Sequence, residues 1–409
     1  MGGRLRVRTR AVGGAPVAAL RVWLLAGERH AATPGQALLA GRMLEEGTAA
    51  RSWRRVARDA EERGVSIHAT AGYEVIGLAL DGPATEAERM IEWGAELALA
   101  PAFDAERWEW QRELALAELE LIRDDPEALA GWGFLGQLYG PHPRSRPLQG
   151  DPASLAGLDV AASRASYEQA LGAGMIVSLA GAIDEEKAAA RLRARFAAGA
   201  RPPAEPPAEP PPVASGEPRR TVALPGDQAH LFLGRPTVDR DDPDLPGLEL
   251  LAVVLGAGAG LAGRLPARVR EREGLAYTAR VDTAAGAAAD PGRLVLHAAT
   301  DRERLARVER AFREELDRLV TDGVTAAELA AARSFLEGQE CFRRETARQW
   351  AEIMAEAELT GHPVDQPGWG AARWGPLTIA ELAAIAERWL DPAGLWVTVG
   401  LPSEGTERA

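Results

Sequence analysis

The stretch "AGARPPAEPPAEPPPVASGEPR", Ala198–Arg219, decides how the chain is divided. Proline lacks a backbone donor and cannot continue a helix or a central strand, so this density of proline predicts an extended, semi-rigid spacer. The spacer separates an N-terminal half, residues 1–197, from a C-terminal half, residues 220–409. We therefore expect two domains joined by a Pro-rich linker, 198–219.

Working outward from the linker, the two halves carry similar patterns of strands and helices. For the N-terminal half the patterns predict a strand at 15–26, helices at 34–46 and 52–63, a strand at 66–80, and helices at 84–98 and 104–123. For the C-terminal half they predict a strand at 229–235, helices at 246–256 and 264–272, strands at 276–285 and 293–299, and helices at 301–321 and from 326 onward. Each half also closes with a strand, "GAGMIVSLAGAID" or "GLWVTVGLP". This repetition predicts an internal duplication with an α+β fold: two α/β-sandwich domains, each a sheet with helices packed on one face.

Composition and charge exclude several classes of function. The formal net charge of −13 argues against nucleic acid as a partner. The longest apolar run, "LELLAVVLGAGAGLAG", is too short and too rich in glycine to span a bilayer, so no membrane is expected. Cys341 is the single cysteine and lies in a helical pattern, which predicts a packed side chain and excludes an internal disulfide. We read the N-terminal "APVAALRVWLLAG" as an early strand rather than a targeting segment, and expect a cytoplasmic protein.

No local metal motif is present. The six histidines all lie more than five residues apart in sequence, so no helix can present two of them at positions i and i+4. The patterns His-Glu-x-x-His and His-x-x-Glu-His are therefore absent.

The segment "GAGAGLAGRLPARVREREGLAY", Gly256–Tyr277, is the most informative in the chain. Its glycine-rich run indicates open backbone at the end of a helix. Arg270, near a helix C-terminus, and Tyr277, at the entry to a strand, could converge on one point. From spacing alone, a flexible loop with a surface arginine and a half-buried tyrosine is the favoured interpretation.

Taken together, several phrases resemble the pitrilysin/insulinase family of zinc metallopeptidases, in its bacterial and mitochondrial-processing-peptidase branch. They occur in the family's order over roughly residues 15–400: "AGERHAATPGQALLAGRMLEEGT", "ERGVSIHATAGYEVIGLAL", "FDAERWEWQRELALAELELIRDDP", "LYGPHPRSRPLQGDPASLAGL" and "GRLPARVREREGLAYT".

The resemblance implies a degenerate zinc site. The family's His-x-x-Glu-His falls on Leu38, Leu39, Ala40, Gly41 and Arg42, and its third ligand, a glutamate, falls on Glu118. Leu38 and Arg42 replace the two histidines, and Gly41 replaces the glutamate base. A catalytic zinc needs three protein ligands, so we expect no metal and no peptide hydrolysis by this chain alone. Leu38, Leu39 and Met43 are then expected to serve as ordinary packing.

The resemblance also implies that a second set of functional residues is retained. Arg270 and Tyr277 match the family's arginine and tyrosine, which hold the substrate backbone and stabilise the oxyanion opposite the zinc. The glycine-rich run Gly256–Gly263 resembles the loop that several members of the family place against the substrate. Its glycines at these positions are Gly256, Gly258, Gly260 and Gly263.

Three functions are compatible with this pattern. The leading one is a non-catalytic subunit of a heterodimeric zinc metallopeptidase, in which Arg270 and Tyr277 complete the site of a zinc-bearing paralogous subunit that acts on an unfolded peptide. The second is a purely structural core-type subunit, and the third is a peptide-binding protein with no role in catalysis. Zinc is expected in the partner chain only.

Overall fold

The protein is described by a computed structural model over residues 5–199, 218–258 and 263–403. Most of the predicted linker and Gly260 lie outside these described residues. The strands in the described part are β1 Leu5–Ala11, β2 Val17–Leu24, β3 Ser66–Ala71, β4 Ile76–Pro83, β5 Met175–Gly181, β6 Arg219–Leu224, β7 Ala229–Pro236, β8 Thr278–Ala285, β9 Arg293–Thr300 and β10 Trp396–Pro402.

The helices of the described residues are distributed along both halves. They are α1 Gln36–Arg42, α2 Trp53–Glu61, α3 Ala87–Leu99, α4 Ala105–Arg123, α5 Pro126–Tyr139, α6 Pro152–Ala156, α7 Val160–Ala173, α8 Glu185–Phe196, α9 Leu245–Leu255, α10 Arg264–Pro266, α11 Leu305–Asp322, α12 Ala326–Phe342, α13 Ala347–Thr360, α14 Trp369–Trp374 and α15 Ile379–Trp389. Helix α10 continues directly into a π-helical turn, Ala267–Arg272. None of these helices combines the length and apolar character that a membrane crossing requires.

Two five-stranded sheets organise the chain, and they share one topology. The first has the strand order β1-β5-β2-β4-β3 and the second β6-β10-β7-β9-β8, so each strand has its counterpart in the same place. In each sheet the first pair, β1 with β5 or β6 with β10, is parallel and the remaining pairs are antiparallel. The predicted α+β fold with two sheet-and-helix domains is confirmed.

The compact units do not coincide with the sequence halves. Unit 1 comprises Met1–Leu119, Arg146–Glu209 and Cys341–Gln366, and unit 2 comprises Glu120–Ser145, Pro210–Glu340 and Pro367–Ala409. Each unit therefore takes up one helical segment from the other half: α13 packs on the sheet of unit 1, and α5 packs on the sheet of unit 2. These two helices cover a second face of each sheet, in addition to the helices expected on one face.

The core of unit 2 lies on one face of its sheet, and alternate side chains of the strands point into it. Leu231 and Leu233 of β7 and Leu294 and Leu296 of β9 are fully buried in a cluster with residues of α9, α11 and α15. The intervening residues point to the opposite face, where Phe232 stacks on Phe134 of α5 with ring centroids 5.7 Å apart. Successive side chains of a strand point to opposite faces, so a single strand serves both layers.

Several predicted elements differ from the observed ones. The strand predicted at 66–80 is a hairpin, β3 and β4, because Gly72 and its neighbours turn the chain back. The helix predicted at 34–46 spans only Gln36–Arg42, and its N-cap is Gly35, with φ 84°. Cys341 is exposed, so the prediction that it packs inside was wrong.

Candidate functional site

Helix α1 carries the positions that correspond to the zinc motif, and it is short and closely packed. Leu39 and Ala40 are fully buried, as are Met43 and Leu44 just after the helix, whereas Leu38 is half-buried. The expected packing role is thus observed for Leu39 and Met43 and only in part for Leu38. These buried side chains make α1 part of the core of unit 1.

Arg42 occupies the place where a cation would be needed. Its Nη2 donates to both carboxylate oxygens of Glu118 on α4, at 2.8 Å to Oε1 and 2.6 Å to Oε2. The guanidinium therefore neutralises the one carboxylate that remains of the expected ligand set. Leu38 offers no donor atom, and zinc needs three protein ligands. The residues present do not fit a zinc ion at this position.

Gly41 lets α1 approach the sheet of unit 1. A Cβ at this position would lie 3.0 Å from the carbonyl oxygen of Thr70 and 3.2 Å from Cβ of Ala71, both on β3. A side chain at Gly41 would need its neighbours on β3 to give by a few tenths of an ångström. The position that would hold a general base is thus tightly packed and carries no side chain.

Two glutamates follow α1 and fix its end. Glu46 is buried and accepts from Nε of Arg107 at 2.6 Å and from Nη2 at 3.0 Å. Glu45 accepts from the backbone amide of Ala69 at 2.7 Å, and burial raises its pKa. These contacts connect the end of α1 to α4 and β3. The segment Met43–Thr48 therefore has a structural role within unit 1.

Glu28, which the sequence patterns did not single out, holds the entry to α1. Its Oε1 accepts from the backbone amide of Gly35 at 2.9 Å, and the residue is 4% exposed. Burial raises the pKa of this carboxyl to about 8, against hydrogen bonds from Gly35 and Ala37 that lower it. A glutamate in a charged loop, "AGERH", gives no sequence signal of burial.

Arg270 and Tyr277 meet in unit 2. Arg270 lies in the π-helical turn Ala267–Arg272, and its Cζ is 4.5 Å from the centroid of the Tyr277 ring. Tyr277 is 80% exposed, so the expected half-buried tyrosine is not observed. Within the described part of the chain, neither the guanidinium nor the hydroxyl has a hydrogen-bond partner. The π-helical turn, a feature frequent at functional sites, presents Arg270 to solvent, and Tyr277, just before β8, is exposed beside it.

The described ends of the glycine loop approach each other closely. Gly256 has φ 133° and Gly263 φ 115°, and a Cβ on Gly263 would lie 2.4 Å from Cα of Gly256. A Cβ on Gly258 would lie 3.8 Å from the Phe335 ring. Glycine is required at Gly256 and Gly263 by backbone geometry alone, so their presence is explained without a ligand. Gly260 lies outside the described residues.

The sequence reasoning also missed a group of polar side chains in unit 2. Glu127, His230 and His297 lie together, although 67 positions separate the two histidines in sequence. Both histidines occupy alternating strand positions that face α5, and only the register of β7 against β9 brings them together.

Comparisons with known proteins place these observations in context. Residues 6–148 match the family model described as insulinase (peptidase family M16), and residues 171–336 match the model described as peptidase M16 inactive domain. An uncharacterised zinc protease of Mycobacterium tuberculosis is 30% identical over 344 residues, which cover 82% of this chain and 77% of that protein.

Solved structures show the same fold. The peptidase M16 inactive domain from Pseudomonas fluorescens has a TM-score of 0.86 at 23% identity, covering 98% of this chain and 96% of that one. A protease from Helicobacter pylori has a TM-score of 0.84 at 14% identity, covering 96% of each chain.

Proposed function

This chain belongs to the insulinase family, peptidase family M16, and from that premise we propose that it is a non-catalytic subunit that supplies Arg270 and Tyr277 to a zinc-bearing relative. The partner is a paralogous subunit with an intact His-x-x-Glu-His, and the substrate is an unfolded peptide. The pair acts as a metalloendopeptidase in the cytoplasm, and the catalytic zinc belongs to the partner.

The observation that carries this proposal is the contrast between two sets of residues. At the positions of the zinc motif, Arg42 is bound to Glu118, and neither a base nor a metal fits. In unit 2, Arg270 and Tyr277 are adjacent and exposed, with unused donors. Two exposed donors in contact with each other are what a complementing role requires.

The chemistry of the pair suits a complementing role. A tyrosine hydroxyl and a planar guanidinium both donate to a carbonyl oxygen that gains negative charge when water attacks the peptide bond. The contact of the Arg270 guanidinium with the Tyr277 ring restricts both side chains before substrate arrives. One well-aimed donor contributes roughly 3–4 kcal/mol to the transition state. The glycine-rich segment that carries Gly256, Gly258, Gly260 and Gly263 would lie along the substrate.

The experiment is peptide hydrolysis by the purified chain, alone and mixed with a zinc-bearing M16 relative from the same organism, with zinc present throughout. We expect activity from the mixture that exceeds the sum of the two chains. Tyr277→Phe should lower turnover of the mixture and leave its zinc content unchanged.

Other outcomes select the alternatives. A stable complex with no change in hydrolysis would overturn the complementing role in favour of a structural subunit. Stoichiometric peptide binding by this chain alone, again without cleavage, would favour a peptide-binding protein. Zinc-dependent hydrolysis by the chain alone would contradict the assignment of the degenerate site.

A further inference from the structure

A cluster in unit 2 lies outside both sets of residues described so far. His230 on β7 and His297 on β9 project from the sheet face that α5 covers, and Glu127 lies in the first turn of α5. In the antiparallel register Phe232 is opposite His297, and His230 is opposite Ala299, so the two histidines are diagonal neighbours. Three elements therefore converge on one point.

The distances within this cluster are those of side chains that can share an ion. Nδ1 of His230 lies 3.1 Å from Nε2 of His297, and Nδ1 of His297 lies 3.9 Å from Oε1 of Glu127. One ligand atom from each side chain lies within 4.8 Å of the other two. Metal–ligand bonds are about 2 Å long, so ligand atoms around one ion lie within roughly 4 Å of one another. A small rotation of Glu127, whose side chain is 37% exposed, would close the set.

Burial strengthens the case that these side chains have a shared partner. His230 and His297 are only 4% and 3% exposed, and the buried Nδ1 of His297 has no hydrogen-bond partner within the described residues. A buried polar atom without a partner is costly and calls for an explanation. An ion held by Nδ1 of His230, Nε2 of His297 and one carboxylate oxygen of Glu127 would leave Nδ1 of His297 to carry the proton and to donate it to Oε1 of Glu127, now 3.9 Å away.

We propose that Glu127, His230 and His297 form a zinc site that fastens the first turn of α5 to β7 and β9. Two imidazole nitrogens and one carboxylate are a donor set that zinc accepts, with the fourth position left to water. The site is unrelated to the degenerate motif on α1, and it requires no role for Arg270 or Tyr277. The proposal therefore stands independently of the proposed function.

The protonation state of the histidines suits a cation. Burial lowers the pKa of His297 to about 3 and also lowers the pKa of His230, so both rings are neutral near neutral pH. Without an ion, one ring donates its N–H to the other, since the ring planes are 10° from parallel and the nitrogens are 3.1 Å apart. Ion binding requires that this proton move to the other nitrogen of the donating ring, that the two rings turn so that both free nitrogens face the ion, and that Glu127 turn away from Arg280. Metal ligation requires neutral imidazoles, and the rings of His230 and His297 are already neutral.

Arg280 is the competing cation. It is the cross-strand neighbour of His297 and donates to Oε1 of Glu127 at 2.5 Å. Its side chain is 63% exposed, so it can turn into solvent when Glu127 moves to the metal. Removing Arg280 should free Glu127 and strengthen zinc binding, an effect that a merely structural histidine pair would not show.

The test is zinc binding by the full-length chain after chelator treatment, measured by competition with a chromophoric zinc indicator and by metal analysis after gel filtration. We expect one bound zinc ion per chain. His297→Gln and Glu127→Gln should each weaken binding by more than about tenfold. Arg280→Ala should tighten it. The matched controls His68→Gln and Glu61→Gln, both at exposed positions, should leave it unchanged.

Cobalt substitution adds a readout that does not depend on affinity alone. A Co²⁺ ion bound by histidines at a four-coordinate site absorbs visible light. Glu127→Gln should alter this absorption spectrum. Circular dichroism and unfolding midpoints identify any variant that fails to fold, and Glu127→Gln, at a partly exposed position, is the variant least affected. An absence of zinc binding, or binding that is indifferent to both His297→Gln and Glu127→Gln, would overturn the proposal.

Discussion

Arg42 and Glu118 form a two-oxygen ion pair, with Nη2 of the arginine 2.6 Å and 2.8 Å from the carboxylate oxygens. A guanidinium thus neutralises the carboxylate at the third-ligand position of the zinc motif. The pair joins α1 to α4, so the degenerate site is a structural contact within unit 1.

This pair predicts a coupled effect on stability. Arg42→Met leaves the partly buried carboxylate of Glu118 without its donor, and we expect a loss of about 1–3 kcal/mol in the free energy of unfolding. Glu118→Gln should cost a similar amount, and the double variant less than the two losses combined. Urea unfolding of the four proteins of this cycle measures the coupling. Strictly additive losses would show that the ion pair contributes nothing.

A second prediction concerns the positions of the lost ligands. Leu38→His combined with Arg42→His places two imidazoles one turn apart on α1, opposite Glu118. We expect this double variant to bind one zinc ion more than the unaltered chain, by metal analysis after gel filtration. It should still not hydrolyse peptides, because Gly41 provides no base.

The control for this prediction adds Glu118→Gln to the same double variant, which removes the third ligand and should abolish the additional zinc. Retention of the extra ion without Glu118 would mean that Glu118 is not placed to act as the third ligand.

The donor pair predicts a kinetic signature in the mixed enzyme of the proposed function. Arg270→Lys keeps the charge and removes the planar fork, so we expect kcat to fall by about 100-fold while KM changes little. The matched control is Arg272→Lys, two positions further along the same turn and also exposed. Steady-state kinetics of the mixture compares them. Equal effects of the two substitutions would point to a general electrostatic contribution rather than an aimed donor.

Glu28 predicts a dependence of stability on pH. Because burial raises its pKa from 4.5 to about 8 in the folded chain, the folded state holds a proton that the unfolded state has released. The folded state therefore binds more protons between about pH 4.5 and 8, and stability falls as pH rises through that window.

Glu28→Gln removes this penalty and keeps an acceptor for the amide of Gly35. We expect the variant to gain roughly 2–4 kcal/mol over the unaltered chain at pH 8 and little at pH 4.5, since one pKa unit corresponds to about 1.4 kcal/mol. Unfolding midpoints measured across this range test it, with the exposed Glu61→Gln as control. A difference that does not change with pH would contradict the buried, protonated carboxyl.

Helix α13 belongs to the C-terminal half of the sequence but packs on the sheet of unit 1. Substitutions in α13 should therefore change the stability of unit 1. Trp350 is buried against the sheet under the guanidinium of Arg10, 3.6 Å from the ring centroid, and Ser178 Oγ donates to the carbonyl of Ala351 at 2.5 Å. Trp350→Ala should destabilise unit 1 by about 3 kcal/mol or more, although the residue belongs to the C-terminal half of the sequence.

Hydrogen exchange provides the measurement for this substitution. Amides of β2 and β5 should exchange faster in Trp350→Ala, while those of β7 and β9 should keep their protection. Trp110→Ala, at an exposed position of α4, is the matched control and should change neither sheet. Faster exchange confined to unit 2 would show that α13 does not stabilise the sheet on which it packs.

Most of the fold is already contained in local patterns of the sequence. The strands β7 and β9 and the helix α11 follow apolar periodicity closely, because burial of one face is a property of neighbouring residues. The hairpin of β3 and β4 was predicted as one strand, since its apolar residues continue on both sides of the turn at Gly72. The early end of α1 was also missed, because Met43 and Leu44 keep the helical spacing after the helix has ended.

The sequence by itself determined that the chain has two related α+β halves and that the positions of the zinc motif hold Leu38, Gly41 and Arg42. These are questions of residue type and local spacing. Tertiary structure alone decided that α5 and α13 pack with the opposite half, that Arg42 binds Glu118, and that two histidines 67 positions apart meet Glu127. Such contacts join distant parts of the chain, and they depend on strand register and helix packing that no short window of sequence contains.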